Sequence, residues 1–251
     1  EVTVVDGATL TIEPGVTVKF KTGTDYSYPV DVGFLRVNGK LIAEGTESER
    51  ITLRRDGESG YWGIIFFNDA DETSSLKHCK IEHGYWIYNL VGDDDFSGAL
   101  SFYQTDDAVV ENCDISGNNS DGIYCSSSSP SIANNTISNN DDGVDCRNNS
   151  SPSITNNMIS NNDYGIGCYS SSPSIANNTI SGNNYDGIYC NSSSPSITNN
   201  TISGNEWNGI FCGVSSPSIA NNTISNNDDG IDCRNNSSPS ITNNMISNND
   251  Y

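Results

Sequence analysis

Cationic side chains are scarce in this chain: 11 Lys and Arg stand against 32 Asp and Glu, giving a net charge of −21. A surface of that sign excludes partners held by phosphate neutralisation, so nucleic acid and anionic lipid are set aside. Long apolar runs are missing too, and nothing approaches the roughly 20 residues of a membrane-spanning helix. No segment places apolar residues at three-and-four spacing, which excludes amphipathic helices and helical repeats. The C-x-x-C spacing of structural metal sites is absent, and histidine is limited to His78 and His83. With only 34% hydrophobic residues, whatever core exists must be built economically.

What the chain has in quantity is repetition. Residues 1–107 hold nine of the eleven cations, whereas residues 108–251 hold only Arg147 and Arg234 and are crowded with Asn, Ser and Gly. Composition alone would make that second part disordered. Periodicity overturns the reading, because Pro-Ser-Ile recurs at Pro130, Pro152, Pro173, Pro195, Pro217 and Pro239, 21 or 22 residues apart. Each copy runs P-S-I-x-N-N-x-I-S, a polar turn, then G-[IV]-x-C. The one-residue variation falls between the second Ile and the Gly, which marks a loop.

Within a copy the apolar residues alternate over three to five positions, the period of short strands. Three such strands per 22 residues predict one coil of a parallel β-helix, with coils stacked about 4.8 Å apart and like residues in columns. The predicted core columns are Ile132, Ile154, Ile175, Ile197 and Ile219, and Cys146, Cys168, Cys190, Cys212 and Cys233. Asn134, Asn156, Asn177, Asn199, Asn221 and Asn243, or the Asn following each, are expected to form a turn ladder. Cβ vectors run side by side in a parallel column, so the cysteines are expected as reduced, buried thiols rather than disulfides.

Residues 1–107 read as looser N-terminal coils, with Leu76, Cys79 and Ile81 repeated as Val110, Cys113 and Ile115. Residues 85–96 read as an inserted loop or lid, and residues 108–251 as a regular array, the whole being one continuous all-β solenoid of about ten coils. Segments 9–20 (TLTIEPGVTVKF), 35–55, 61–66 (YWGIIF) and 75–84, with the P-S-I-x-N-N-x-I-S coils, resemble the NosD-like and pectate-lyase-like superfamily of right-handed parallel β-helices in bacterial and archaeal surface proteins. That resemblance implies a right-handed solenoid in an extracellular or cell-surface setting, but spans lyases, hydrolases, epimerases, adhesins and surface-layer proteins.

Enzymes of the superfamily imply a base, an acid and a cation to neutralise a uronate carboxylate. The Asp-Pro-His signature of uronan epimerases is absent, which leaves Arg54, His78 and His83, with Arg36, Arg50, Arg55 and Glu82, as the catalytic candidates. Asp141, Asp142 and Asp145 recur as Asp228, Asp229 and Asp232, and these, with Asp93–Asp95, are candidate calcium ligands. No other cofactor is expected. The positions facing out between Ile or Val and Cys read Tyr124, Asp145, Gly167, Tyr189, Phe211 and Asp232. With Tyr85, Trp86, Tyr164, Tyr185 and Trp207 nearby, they form a candidate strip for carbohydrate or another partner.

Residues 217–251 repeat residues 130–164 except that Val144 becomes Ile231, an offset of 87 residues or four coils. The sequence then stops mid-coil at Tyr251. Two expectations follow: a longer repetitive surface protein, or end-to-end self-association in which the strand at Val2–Val5 adds near Ile246. The leading expectation is an extracellular structural element, a cell-surface stalk, adhesin or filament subunit. A polysaccharide-active enzyme, or a carbohydrate- or calcium-binding module, is the alternative.

Overall fold

The computed structural model describes every residue except Pro29, Asp71, Glu72 and Asp93. The described chain contains no helix, so none is present that is long and apolar enough to cross a membrane. Three parallel sheets of ten strands each wind into a right-handed β-helix of ten coils. In coil 6, for example, sheet 1 contributes Asp142–Arg147, sheet 2 Ser153–Thr155 and sheet 3 Met158–Ser160. Ile132 pairs in register with Ile154 and Ile154 with Ile175, while Cys125, Cys146, Cys168, Cys190, Cys212 and Cys233 form one unbroken column.

Each regular coil sends four small residues inward; in the repeat beginning at Pro130 they are Ile132, Ile137, Val144 and Cys146, all fully buried. The predicted core positions are buried throughout with one correction: Cys233 is exposed, since it lies in the tenth coil with no further coil of this sequence above it. All eight cysteines are free thiols. Cys79 and Cys113 stand apart from the inner column. The Cys113 backbone N–H donates to Asn135 Oδ1 at 2.9 Å, which places both at the foot of an asparagine ladder.

The paired asparagines divide the work of the turn. The first, as at Asn134, Asn156 and Asn177, adopts φ of 56–58°, the left-handed conformation that Asn tolerates. The second is buried and hydrogen-bonds upward: Asn157 donates from N and Nδ2 to Asn178 Oδ1 at 2.8 and 3.0 Å. The following-residue option is therefore the ladder. A second ladder, unforeseen, runs Asn118, Asn140, Asn162, Asn183, Asn205, Asn227 and Asn249 at the next turn. A third turn carries serines, each backbone N–H meeting the next Oγ at 3.0–3.2 Å from Ser128 to Ser237.

The glycine before each inward Val or Ile is required by proximity. A Cβ on Gly165 would sit 2.4 Å from the Gly187 carbonyl oxygen and 2.7 Å from Ile180 Cγ2. The described residues of 85–96 do not project as a free loop. They form an antiparallel hairpin, Ile87–Val91 with Asp94–Phe96, folded flat onto the outside of sheet 1. Ile87, Leu90 and Phe96 close a second apolar cluster there with Phe34, Ile64, Phe66 and Tyr124. Sheet 1 is thus covered by the hairpin as far as Tyr124 in coil 5, and its outward rings are half-buried to exposed from coil 7 onward.

Candidate functional site

Sheet 1 is the face of the array whose outward columns vary most; from Pro130 onward those of the other two sheets hold only Ser, Ala, Thr and Met. Its register aligns Tyr124, Asp145, Gly167, Tyr189, Phe211 and Asp232 in one column and Ser126, Arg147, Tyr169, Asn191, Gly213 and Arg234 in the next. Large rings in neighbouring coils, about 4.8 Å apart, must touch. Tyr189 stacks on Phe211 with centroids 5.1 Å apart and planes 6° from parallel. Tyr169 meets Tyr189 at 5.3 Å, Tyr164 meets Tyr189 at 5.4 Å and Tyr185 at 5.0 Å, and Tyr185 meets Trp207 at 4.8 Å. These half-buried to exposed rings make one continuous apolar strip, and a groove of about 220 Å³ runs along it between Tyr164, Asp186, Tyr189, Trp207, Phe211 and Arg234.

At the end nearer the hairpin the strip passes over buried carboxylates. Tyr124 and Asp145 do not face solvent as the alternation alone predicts; both are buried, Asp145 completely, because the hairpin's Phe96 packs on Tyr124 and Arg147 folds back over both. Arg147 Nε donates to Asp145 Oδ2 at 2.7 Å, and its guanidinium lies 4.8 Å from the centre of the Tyr169 ring. Asp145 Oδ1 is left with no hydrogen-bond partner. Asp142 Oδ2 and Asp145 Oδ1 converge on Gly167, 3.2 and 3.5 Å from the point its Cβ would occupy.

Asp121, one coil below Asp142, completes the group; it accepts from Ser97 Oγ and from the Asp142 backbone N–H. Burial, reinforced by the charge of Asp145, pushes the Asp121 carboxyl up to about 7. Burial against the opposing pull of Arg147 leaves Asp145 at about 6. Asp142 is raised well above the usual carboxylate range by burial and by both neighbours. Above this group, Asp94, Asp95, Phe96, Tyr124, Arg147 and Asn148 line a groove of about 320 Å³ at the edge of the hairpin.

The catalytic candidates of the N-terminal coils fall into two groups, His78 with Arg50 and His83 with Arg54, Arg55 and Glu82. His78 and His83 lie at opposite ends of the short strand Cys79–Ile81, each in the left-handed turn position that Asn or Gly fills elsewhere, with φ of 47° and 67°. His78 lines a groove of about 560 Å³ with Glu47, Arg50 and Asp114, on the far side from the strip. His83 lies near Arg54 and Arg55; burial, then the charge of Arg55, holds its imidazole below the ordinary value. Tyr85 packs between Tyr26 and Tyr61, and Trp86 packs on Tyr88, so the ring contacts of these two are made away from the strip. Tyr189, Trp207 and Phe211 do belong to the strip.

Among the acidic candidates, Asp142 and Asp145 are buried in the sheet, Asp141 and Asp229 are half-buried, and Asp228 is exposed. Asp232 Oδ2 lies 2.7 Å from Arg234 Nε, the distance that separates Asp145 from Arg147. Among the described residues no three His, Cys, Asp or Glu side chains are placed to hold a metal ion. Asp93 lies outside the described residues. Asp121 was missed by sequence reasoning although a signal exists, since Asp-Gly-Ile at Asp121 and Asp-Gly-Val at Asp142 are one coil apart.

Comparison with known proteins places the architecture. The profile of the right-handed β-helix region matches residues 38–179 and 142–251. No curated protein matches the chain in sequence. Among solved structures, pectate lyase Pel9A superposes with a TM-score of 0.68 at 14% identity, covering 99% of this chain and 71% of the lyase. The enzymatically active domain of bacteriophage CBA120 tailspike protein 2 gives 0.62 at 14% identity, over 93% of this chain and 39% of that one. A mutant of the periplasmic alginate epimerase AlgG gives 0.57 at 14% identity, over 98% and 76%. At such identities the likeness is one of fold.

Proposed function

Because the chain belongs to the right-handed β-helix family, and its one specialised face is a bare aromatic strip, we propose that it is a polysaccharide-active protein whose glycan lies along the outside of sheet 1. The observation that carries this reading is the unbroken series of ring contacts from Tyr169 through Tyr189 to Phe211, flanked by Tyr164, Tyr185 and Trp207. Aromatic faces in a shallow groove suit the apolar faces of sugar rings, and a linear arrangement suits a linear polymer. The structural neighbours named for polysaccharides or tailspikes support the same reading.

Any bond chemistry belongs, in this reading, at the hairpin end of the strip. A carboxyl near neutrality can both give and take a proton at working pH, and Asp121 and Asp145 are of that kind. Asp94 and Asp95 supply further carboxylates at the groove above them. Both Asp121 and Asp145 are covered, so a glycan reaches them only when Arg147 and Tyr169 move aside. The test is release of reducing ends from a panel of polysaccharides, alongside affinity electrophoresis in the same gels. Cleavage lost in Asp145→Asn supports a catalytic centre here; retarded migration without cleavage by the wild type leaves a binding protein; neither effect with any polymer refutes the reading.

We place the protein outside the cytoplasm, a setting supported by the periplasmic epimerase among its neighbours. The stalk, adhesin or filament role expected from the sequence draws on the regularity of the coils alone, and none of these neighbours is named for such a role.

A further inference from the structure

The charge of the glycan is written into the strip. Residues 108–251 contain two cations, Arg147 and Arg234, and both are engaged. Each Nε lies 2.7 Å from Oδ2 of the aspartate two residues earlier, and each guanidinium sits over a ring, Arg147 4.8 Å from Tyr169 and Arg234 5.8 Å from Phe211. A uronate carboxylate arriving on this face would meet only guanidiniums that already have an aspartate beside them. Carboxyl groups outnumber the cations around the same rings, with Asp142, Asp145, Asp186 and Asp232 against Arg147 and Arg234. Asp186 lines the groove with Tyr189 and Trp207, and its Oδ1 accepts from the neutral Asn208 backbone N–H and side-chain amide at 3.0 and 2.6 Å. Asp142 Oδ2 and the unpartnered Asp145 Oδ1 converge on Gly167 beside Tyr169.

Ring faces carry negative electrostatic potential and attract ammonium groups, the more so where surrounding charge is acidic. Rings set among carboxylates, with every local guanidinium already neutralised, make a surface selective for positive charge. We propose that the strip recognises a glycan bearing free amino groups, a polymer of hexosamine rather than of uronate, an inference that rests on the polysaccharide reading. The ammonium groups would lie against Tyr189, Phe211 and Trp207, where Asp186 is within the same groove.

Isothermal titration at about pH 6.5, above the value of about 6 to which Asp145 is raised, with glucosamine hexaose, its fully N-acetylated counterpart and hexagalacturonate tests it, using the wild type and a Tyr189→Ala/Trp207→Ala variant shown by circular dichroism to be folded. The amine is expected to bind at least about tenfold tighter than the acetylated oligomer, with the preference shrinking at high salt as surface charges are screened. The double variant alters no charge and is expected to lose at least about tenfold in affinity for the amine. Equal or tighter binding of the acetylated or galacturonate oligomer overturns the inference and leaves the polysaccharide reading standing. Undiminished amine binding by the double variant overturns it as diffuse attraction to an acidic protein. If none of the three oligomers binds, the inference is overturned; if the wider polysaccharide panel also shows neither retardation nor cleavage, the polysaccharide reading falls with it.

Discussion

Replacing either of two adjacent asparagines, Asn177 and Asn178, should have very different consequences. Asn178 Oδ1 accepts from Asn157 N and Nδ2 at 2.8 and 3.0 Å, while its Nδ2 donates to the Ile154 carbonyl at 2.9 Å and to Asn200 Oδ1 at 3.0 Å. In Asn178→Ala the Asn157 backbone N–H loses its acceptor in a site where both residues are buried, and an amide hydrogen of Asn157 and the Ile154 carbonyl each lose a bond. At about 1–3 kcal/mol for a buried group left unsatisfied, the loss is about 3–5 kcal/mol once partial relaxation is allowed for. Asn177 is exposed with φ of 58°; Asn177→Ala forces Ala into the left-handed region, about 1 kcal/mol, and Asn177→Gly should be neutral. A solenoid need not unfold in one step, so the assay combines urea titration with amide hydrogen exchange at Asn157. The expected result is a protection loss localised to coils 6–8 in Asn178→Ala and little change in Asn177→Gly. Equal losses for the two alanine variants, or under about 1 kcal/mol for Asn178→Ala, would refute the division of roles.

The remaining predictions concern other columns. Asp121, raised from 3.8 to about 7, binds its proton more tightly folded than unfolded, so its contribution is complete below about pH 4 and lost progressively up to about pH 7, amounting to about 4 kcal/mol; Asp121→Asn should flatten that fall in urea midpoint, and an unchanged pH profile would contradict the buried cluster. Gly165→Ala, with its Cβ 2.4 Å from the Gly187 carbonyl oxygen, should lower the urea midpoint and disrupt exchange protection in coils 7 and 8, whereas Gly204→Ala, with no atom within 4 Å but φ of 66°, should lose only about 1 kcal/mol. Of the eight cysteines only Cys233 is exposed, so a thiol reagent should titrate one group rapidly in the native protein and all eight in denaturant; fast reaction of several would mean the column is open.

The coil was readable because every part of it is enforced locally and then repeated. Ile at a three-residue strand centre has one place to go, and six copies remove the ambiguity that any single short apolar run would leave. The asparagine pair was half readable: sequence gives two adjacent candidates, and only the requirement that one take positive φ and the other point along the axis separates them. Burial of Tyr124 and Asp145 was not readable from alternation, which sorts side chains into inward and outward without knowing that the hairpin at 87–96 will fold over the outward side. Asp121, Asp142 and Asp145 become one electrostatic unit only when neighbouring coils bring together residues about 20 positions apart in sequence. His78 and His83 attract attention as the only imidazoles, yet a solenoid turn that asks for left-handed backbone accounts for their positions.

In a stack of near-identical coils, uniform columns and variable columns answer to different constraints. A residue in the Ile, Cys, Asn, Ser or Gly columns touches its own kind above and below, so a change there is felt by three coils at once and the column stays uniform. The outward positions of sheet 1 meet no such demand once past the hairpin, and there Gly167, Tyr189, Phe211 and Asp232 succeed one another in a single column. The four-coil duplication carries Asp145 and Arg147 into Asp232 and Arg234 with the same 2.7 Å contact, and sets Phe211 under Arg234 as Tyr124 is under Arg147, each guanidinium 5.8 Å from its ring. Four coils at about 4.8 Å separate the two units by about 19 Å, with the rings of Tyr169 and Tyr189 between them. A polymer long enough to touch both gains from linked contacts without any new one being made. Binding should therefore strengthen with oligomer length until the ligand spans both units and then level off; an affinity that is already complete for a disaccharide would mean the two units act separately.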